Sequence, residues 1–587
     1  MEKIDKIAAQ KAVDDNNITL WMSVTGNSAR KLPAFLLDAG WADTGGIICC
    51  VHDDDMLSTG HDLFGYSISF EDTTSQRSKV VHVTTDLLIQ GALVDPLLSR
   101  YSVLILQECH LRTIQIDVIL GLLKKILKRR DDLRLLVSAA TPECLDFISA
   151  YLPESRIISL ETSTYPVDLH HTLSDIHNYM DTALETVLSS IGANSTGITA
   201  MFMPTQDGKR VYKELHGAPR FVESTAKLGF AFCLIDWMHL EHHILDSGTY
   251  DYVIVTSLPA ELIARRVPVS TVIDSGFQEL VFSRYGYAKM TKIVPVSQET
   301  ANLRARIGGL TGSGKCFRLF TASTFEKLEK FELPEIWRLP LDHCILQLKS
   351  LGIDNTLRFD YPSPPPSAAV AEAMDRLALL GAIDSETRLT KPFGEQAAQL
   401  PLNPLHAMLL ISSLEQGCFE QIATIIAVWL TKGEFFDHEN SLPFIAQEGD
   451  ALTWLNIYEG FVKAGPTRIA WCRKYSLDER RLSRAVHVRQ QLLRILERRG
   501  IMAPKTELAT STTIRKCIAF VYKQNYASQA PDGSYRTANR SLTVKVHPSS
   551  VLYNRKGKWI VFEDTLENDG ELFIKNLSTI EEEWMNS

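Results

Sequence analysis

The sequence predicts a multidomain α/β protein in which two parallel-sheet domains stand in tandem ahead of a helical region and a small β-barrel. Residues 17 to 160 alternate short β-rich runs (ITLWMSV, GGIICCV, KVVHVTT, YSVLILQ, LRLLVSAAT) with helical stretches such as IDVILGLLKKILKRR. That alternation is the pattern of a parallel sheet with crossover helices. A Ser/Gly/Asn segment, SSIGANSTG, precedes a second set of such runs: GITAMFM, YDYVIVTS, VSTVIDSGF and GKCFRLF. From about Phe325 apolar residues recur at helical spacing, in PLDHCILQLKSLGI, AAVAEAMDRLALLGAI, AMLLISSLEQ, QIATIIAVWL and RRLSRAVHVRQQLLRILERR. After residue 505 the segments RKCIAFVYKQNYA, SYRTA, SLTVKVH, SVLYNRKGKWIVFED and ELFIKNLSTI have the lengths and turn spacing of barrel strands.

The bulk numbers agree with several packed domains. The chain has 587 residues, 45% hydrophobic and 22% charged, with no dominant low-complexity tract. A net charge of -9 gives no global attraction to phosphate backbones, although a local basic groove would be hidden in that sum. The ten cysteines are scattered without a CxxC pair and read as reduced thiols. No apolar run reaches the roughly 18 residues that span a bilayer, and the opening MEKIDKIAAQKAVDDNN lacks an apolar signal core. The expectation is a soluble, intracellular protein with no membrane partner.

Longer segments carry a specific likeness. PAFLLDAGWADTGG, GYSISFED, DPLLSRYSVLIL and DVILGLLKKILKRRDDLRLLVSAAT lie in the first half. VPVSQETANLRARIGGLTGSGKCFRLFT, LQLKSLGIDNTLRFDYPSPPP, LTKPFGEQAAQLPLNP, EGDALTWLNIYEGF and YRTANRSLTVKVHPSSVLY follow in order. Together they resemble, in register over nearly the whole chain, the DEAH/RHA branch of RNA helicases that contains spliceosome-associated members. The resemblance implies a first RecA-like domain over 1–160, a second over 161–324, a winged-helix domain over 325–395, a helical ratchet bundle over 396–504 and an OB-fold barrel over 505–587.

The same resemblance shows where the chain departs from its family. A nucleotide loop needs glycines to expose backbone N–H groups, a Lys for the phosphate charge and a Ser/Thr for Mg²⁺. In MSVTGNSARK only Thr25 and Gly26 survive; Ser28 stands where a glycine belongs, Ala29 replaces the Lys, and Arg30 and Lys31 take the hydroxyl positions. A plain strand-to-helix turn is the competing reading. The family's metal-binding Asp and water-polarising Glu become Gln107 and Glu108, followed by Cys109 and His110. A neutral amide is a poor ligand for a hard dication. Ile307 and Leu310 occupy the two arginine-finger positions, Leu303 replaces a Gln, and Leu262, Ile263 and Arg265 replace hydroxyl-bearing residues. Arginine fingers contribute about 10³ to 10⁵ in rate, so their loss alone is severe. Glu108, His110, Thr25 and Gly26 therefore read as vestiges, with no catalytic residue, metal or cofactor expected; ATP and Mg²⁺ belong to an alternative, active-helicase reading.

Two further matches carry little. Gly309 to Cys316 satisfies GxxxxGK but leads into a strand rather than a helix, and His239, Glu241, His242 and His243 follow no metalloprotease order. On the RNA path, Asp53, Asp54 and Asp55 replace family cations, and like charge repels phosphate. Arg112, Arg304, Tyr535, Arg536, Lys545 and His547 match family positions and are the RNA-binding candidates. The resulting expectation is a catalytically inactive helicase homologue serving as an interaction or RNA-processing scaffold, or else an ATP-independent single-stranded RNA binder. The resemblance also implies a G-patch-like or ribonucleoprotein partner and a nuclear setting.

Overall fold

The computed structural model describes residues 17–24, 27–51, 63–68, 70–158, 165–192, 197–217, 230–235, 251–284, 288–431, 442–501, 509–538, 542–555, 557–568 and 571–586. Thr25, Gly26, Asp53 to Asp55 and the His239 to His243 cluster lie outside them.

The first domain is one sheet of β1 (Ile18–Met22), β2 (Gly46–Val51), β3 (Phe64–Ile68), β4 (Glu71–Asp72), β5 (Val80–Thr84), β6 (Tyr101–Leu106), β7 (Arg134–Ala139) and β8 (Arg156–Ile158). Its order is β4-β3-β5-β2-β6-β7-β1-β8, parallel except at the β3–β4 pair. The central strands read as continuous apolar runs because both faces are covered by helices. One face packs Leu20, Ile48, Leu104 and Val137 into a core that runs on into the helical region, while Trp21, Ile47, Ile105 and Leu136 pack the other.

The second domain holds β9 (Val167–His171), β10 (Ile198–Phe202), β11 (Phe230–Ile235), β12 (Asp251–Thr256), β13 (Val269–Asp274) and β16 (Gly314–Arg318), in the order β11-β12-β10-β13-β16-β9. The GxxxxGK match ends inside β16, where Lys315 pairs with Thr271, so it is ladder and not a phosphate loop. A hairpin, β14 (Phe277–Arg284) and β15 (Ala288–Pro295), projects from this domain.

The helical region contains the expected helices Asp342–Ser350, Ser367–Leu379, Pro404–Glu415, Phe419–Leu430 and Glu479–Arg498. At the C-terminus β17 (Tyr526–Gln529), β18 (Tyr535–Thr537), β19 (Thr543–Val546), β20 (Trp559–Asn568) and β21 (Glu571–Thr579) close into a barrel through the β20–β21 pair. One local expectation fails: RKCIAFV is not a strand but part of the helix Ser511–Val521. Thr510 caps it by accepting the Thr513 N–H, and Ile514, Cys517, Ile518 and Val521 bury one helical face.

Contacts between the parts orient the cleft. Arg112 bonds Asp117 at 3.3 Å and reaches the Ser363 hydroxyl in the winged-helix region, and the Glu335 N–H donates to the Arg112 carbonyl at 3.1 Å. Gly121 permits this approach, since a Cβ there would lie 2.6 Å from the Asp360 carbonyl oxygen and the Phe359 ring. Arg484 pairs with Glu71, and Arg498 with Asp72 at 3.5 Å, joining the long ratchet helix to β4. Lys289 and Met290 of β15 pair with Leu566 and Glu567 of β20. The barrel meets the ratchet through Asp450, which accepts from the Ser550 hydroxyl and the Leu577 N–H at 2.8 and 2.7 Å, and through His406, 3.0 Å from Glu563.

His82 gives the first sheet a pH dependence. It lies on β5 between Tyr66 and Cys49, stacks on Phe64 at 6.2 Å, and its Nδ1 has no partner among the described residues. Burial pushes its pKa down from 6.5 to about 4. A depressed folded-state pKa contributes stability that is present above the unfolded value and lost as pH falls through the folded one. Hydrogen exchange of β2 and β5 should therefore show protection falling between pH 6.5 and about 4, by up to about 3 kcal/mol. His82→Leu should flatten that decline; an unchanged slope in the variant would assign the acid lability elsewhere.

Candidate functional site

The cleft between the two sheets is built from the C-terminal ends of their strands. β6 runs through Leu106 into Gln107 and Glu108, and the chain then turns through a short 3-10 segment, Cys109–Leu111. Glu108 and Arg112 flank this segment at φ 58° and 48°, left-handed positions that cost a non-glycine residue of order 1 kcal/mol or more each. Leu111 N–H to Glu108 O at 3.0 Å and Arg112 N–H to Cys109 O at 3.3 Å hold the turn.

Gln107 is directed into the sheet. Its Nε2 donates to Cys49 Sγ at 2.9 Å, and its backbone N–H donates to Cys50 O at 3.1 Å. Burial raises the Cys49 thiol to about 12, with the Gln107 bond opposing the rise. A neutral amide suits this position because it can donate to sulfur; an ionised carboxylate could only accept.

Glu108 faces the second domain. Its carboxylate pairs with Arg265 from the helix Ala260–Arg266, and the two side chains are 9% and 6% exposed. Two buried charges need each other, since desolvating either alone costs several kcal/mol. His110 Nδ1 accepts the Ala140 N–H at 3.2 Å, which places the ring proton of the neutral imidazole on Nε2. That nitrogen lies 3.5 Å from Glu261 Oε1, close enough for attraction but without hydrogen-bond geometry. The Thr141 hydroxyl donates to Glu299, whose carboxyl is raised by burial against that bond. Asn302 Nδ2 donates to Glu143 at 3.3 Å, and Arg306 donates to the Ala140 carbonyl at 3.4 Å.

An apolar seal accompanies these polar contacts. Val24 and Ala140 of the first domain share one cluster with Leu258, Ile263, Leu303 and Ile307 of the second, with Leu310 packed against it. The finger positions Ile307 and Leu310 therefore make apolar contact. Lys31 is exposed, and among the described residues no group of three or more His, Cys, Asp or Glu could hold a metal ion.

The six RNA candidates divide by burial. Arg304 is buried against Asp274 at 2.6 Å, and Arg112 is buried between Asp117, Ser363 and the Phe147 ring. Tyr535 lies in the barrel core, its hydroxyl donating to Gly557 O at 2.9 Å. In all three the polar groups are engaged within the fold. Arg536 and Lys545 are exposed, Lys545 pairing with Glu571; His547 is half-buried beside Ser549 and Phe573. Sequence reasoning did not single out Glu261, Thr141 or Glu299. It noted Arg265 only as a replacement, and its one signal was a new cation in the same chain as a retained acid.

Breaking the central pair from one side should be costly. Arg265→Ala leaves Glu108 buried and unpaired, with an expected loss of about 3 to 5 kcal/mol. Glu108→Gln combined with Arg265→Gln should recover most of it, because both charges go together. Denaturant unfolding with hydrogen exchange at β6 and the helix Ala260–Arg266 measures the cycle. Strict additivity of the two changes would show that the pair is not coupled.

The oligonucleotide/oligosaccharide-binding (OB)-fold model matches residues 514–586. The chain is 32% identical over 596 residues to the probable ATP-dependent RNA helicase DHX35 of Homo sapiens, covering 94% of this chain and 84% of that protein. A putative pre-mRNA-splicing factor ATP-dependent RNA helicase of Schizosaccharomyces pombe is 31% identical, with 98% and 93% covered. The pre-mRNA-splicing factor ATP-dependent RNA helicase prp22 of the same yeast is 29% identical, with 98% of this chain but 51% of that protein covered. At 31 to 32% identity over most of both sequences, and with an OB-fold match at its C-terminal barrel, the chain belongs to the DEAH-box family of RNA helicases, although its own motif reads Gln107-Glu108-Cys109-His110.

Proposed function

We propose that this chain is a helicase shell that neither binds nor hydrolyses ATP and serves RNA processing as a scaffold. The observation that carries the reading is the Glu108–Arg265 pair. In a hydrolysing site the glutamate must be free to polarise water beside a metal-bound phosphate. Here an arginine from the opposite domain neutralises it, and the neighbouring Gln107 amide is committed to Cys49. The residues do not fit a Mg²⁺–nucleotide complex: the second domain offers Ile307 and Leu310 where a phosphoryl group would need fixed cations. The relatives' names carry ATP dependence, and this chain departs from them at the groups that dependence requires.

Splicing-named relatives support a nuclear role in RNA processing, and no helix among the described residues is long and apolar enough to cross a membrane. A G-patch-like or ribonucleoprotein partner extends the same family reading. A second reading, ATP-independent binding of single-stranded RNA, is favoured by exposed Arg536 on the barrel; it requires affinity that falls steeply with salt and with Arg536→Glu.

RNA-stimulated phosphate release tests the main reading. The parent should remain at the protein-free level, Glu108→Gln should change nothing, and Ala29→Lys alone should recover nothing, because these groups act as a unit. Turnover well above the control that is abolished by Glu108→Gln would overturn the proposal.

A further inference from the structure

A groove of about 320 Å³ lies away from the interdomain cleft, between the first sheet and the ratchet helix. Two helices face each other across it at matching spacing. Thr85–Val94 presents Leu87, Gln90, Gly91 and Val94, and Glu479–Arg498 presents Gln491, Arg494, Ile495 and Arg498. Each set follows the three-four-seven spacing of one helical face. The floor is apolar, with Ile68, Val81 and Leu87 beside the rings of Phe70 and Tyr101, and Val94 stands 70% exposed at its edge.

The rim carries the opposite charge to the molecule as a whole. Between Glu479 and Arg499 there are seven arginines against two glutamates, in a chain of net charge -9. Glu71 and Asp72 on the same rim are engaged by Arg484 and Arg498. Arg494 and Arg499 have no side-chain partner among the described residues, and both line the groove. Gln90 is more than nine-tenths buried, and its Nε2 finds no acceptor among the described residues.

Gly91 adds an independent observation. A glycine inside a helix costs about 1 kcal/mol relative to alanine. No neighbour accounts for it, because a Cβ at Gly91 would meet nothing within 4 Å. Bare helix backbone is thus left facing the groove, where another chain can approach closely.

We propose that this groove docks an acidic peptide segment of a partner protein, seating an apolar side chain on the apolar floor and carboxylates on Arg494 and Arg499. Charge complementarity selects the occupant: an apolar floor takes Leu, Ile or Phe, and free guanidiniums grip carboxylates in a forked geometry. Nucleic acid fits less well, because single strands are held by stacking on exposed aromatic faces, and of the two rings lining the groove Phe70 is buried and Tyr101 half-buried. The proposal stands apart from the ATPase reading, and neither depends on the other.

Peptide phage display on the immobilised full chain tests it, with Arg494→Glu/Arg499→Glu as counter-selection. The expected result is enrichment of sequences with two or more Asp or Glu beside a Leu, Ile or Phe. Fluorescence anisotropy of the synthetic winner should then show at least about a tenfold loss of affinity in the double-arginine variant, corresponding to about 1.4 kcal/mol. Gly91→Leu, which favours the helix while filling the groove, and the surface change Val94→Asp should each weaken binding, with melting curves confirming that the variants fold. No enrichment, an acid-free consensus, or affinity indifferent to all three variants would overturn the proposal. So would oligo-uridine RNA that displaces the peptide and loses affinity in the same variants, which would assign the groove to nucleic acid.

Discussion

A carboxylate at the end of a buried parallel strand must be neutralised by something, and in this molecule that requirement organises the space between the two sheets. Glu108 stands where β6 leaves the core, in a left-handed turn that aims its side chain across the cleft. Little of it is left to solvent. Arg265 answers the charge and brings the helix Ala260–Arg266 against the first domain, which sets Glu261 beside His110. With those elements in contact, Val24 and Ala140 are excluded from solvent together with Ile263 and Ile307, and the apolar contribution follows from the electrostatic one.

The two kinds of feature differ in how far they could be read from the sequence. The central strands were legible because each is a short apolar run between turn residues, a pattern that burial on both faces imposes directly. The helix Ser511–Val521 was misread because Ile514, Cys517, Ile518 and Val521 lie in a segment too β-branched and aromatic to separate from a strand by eye. Residue losses at the cleft were visible by position, but what replaced them was not. Nothing local marks Arg265 as the partner of Glu108, because a long-range ion pair leaves no periodicity. Arg112, Arg304 and Tyr535 were placed on an RNA path by likeness alone, and all three are consumed by Asp117, Asp274 and Gly557 inside the fold.

Family membership and chemistry rest on different residues here. Likeness to the RNA helicases extends over nearly the whole chain, because the packing of sheets, ratchet and barrel constrains many positions weakly. Phosphoryl transfer constrains few positions strongly. A chain can therefore keep the first set while exchanging the second, and Gln107 illustrates how: the amide gains a sulfur partner that the sheet already provided.

The contacts that orient the cleft also close on themselves. The first domain holds the second through Glu108 and Arg265, the second holds the barrel through the β15–β20 pairing, the barrel holds the ratchet through Asp450, and the ratchet returns to β4 through Arg484. In such a loop each junction is kept at high effective concentration by the other three, so a junction that parts re-forms before the loop can relax. The four junctions behave as one latch: separating any pair of domains by a large distance requires a second junction to yield as well, and small openings reseal.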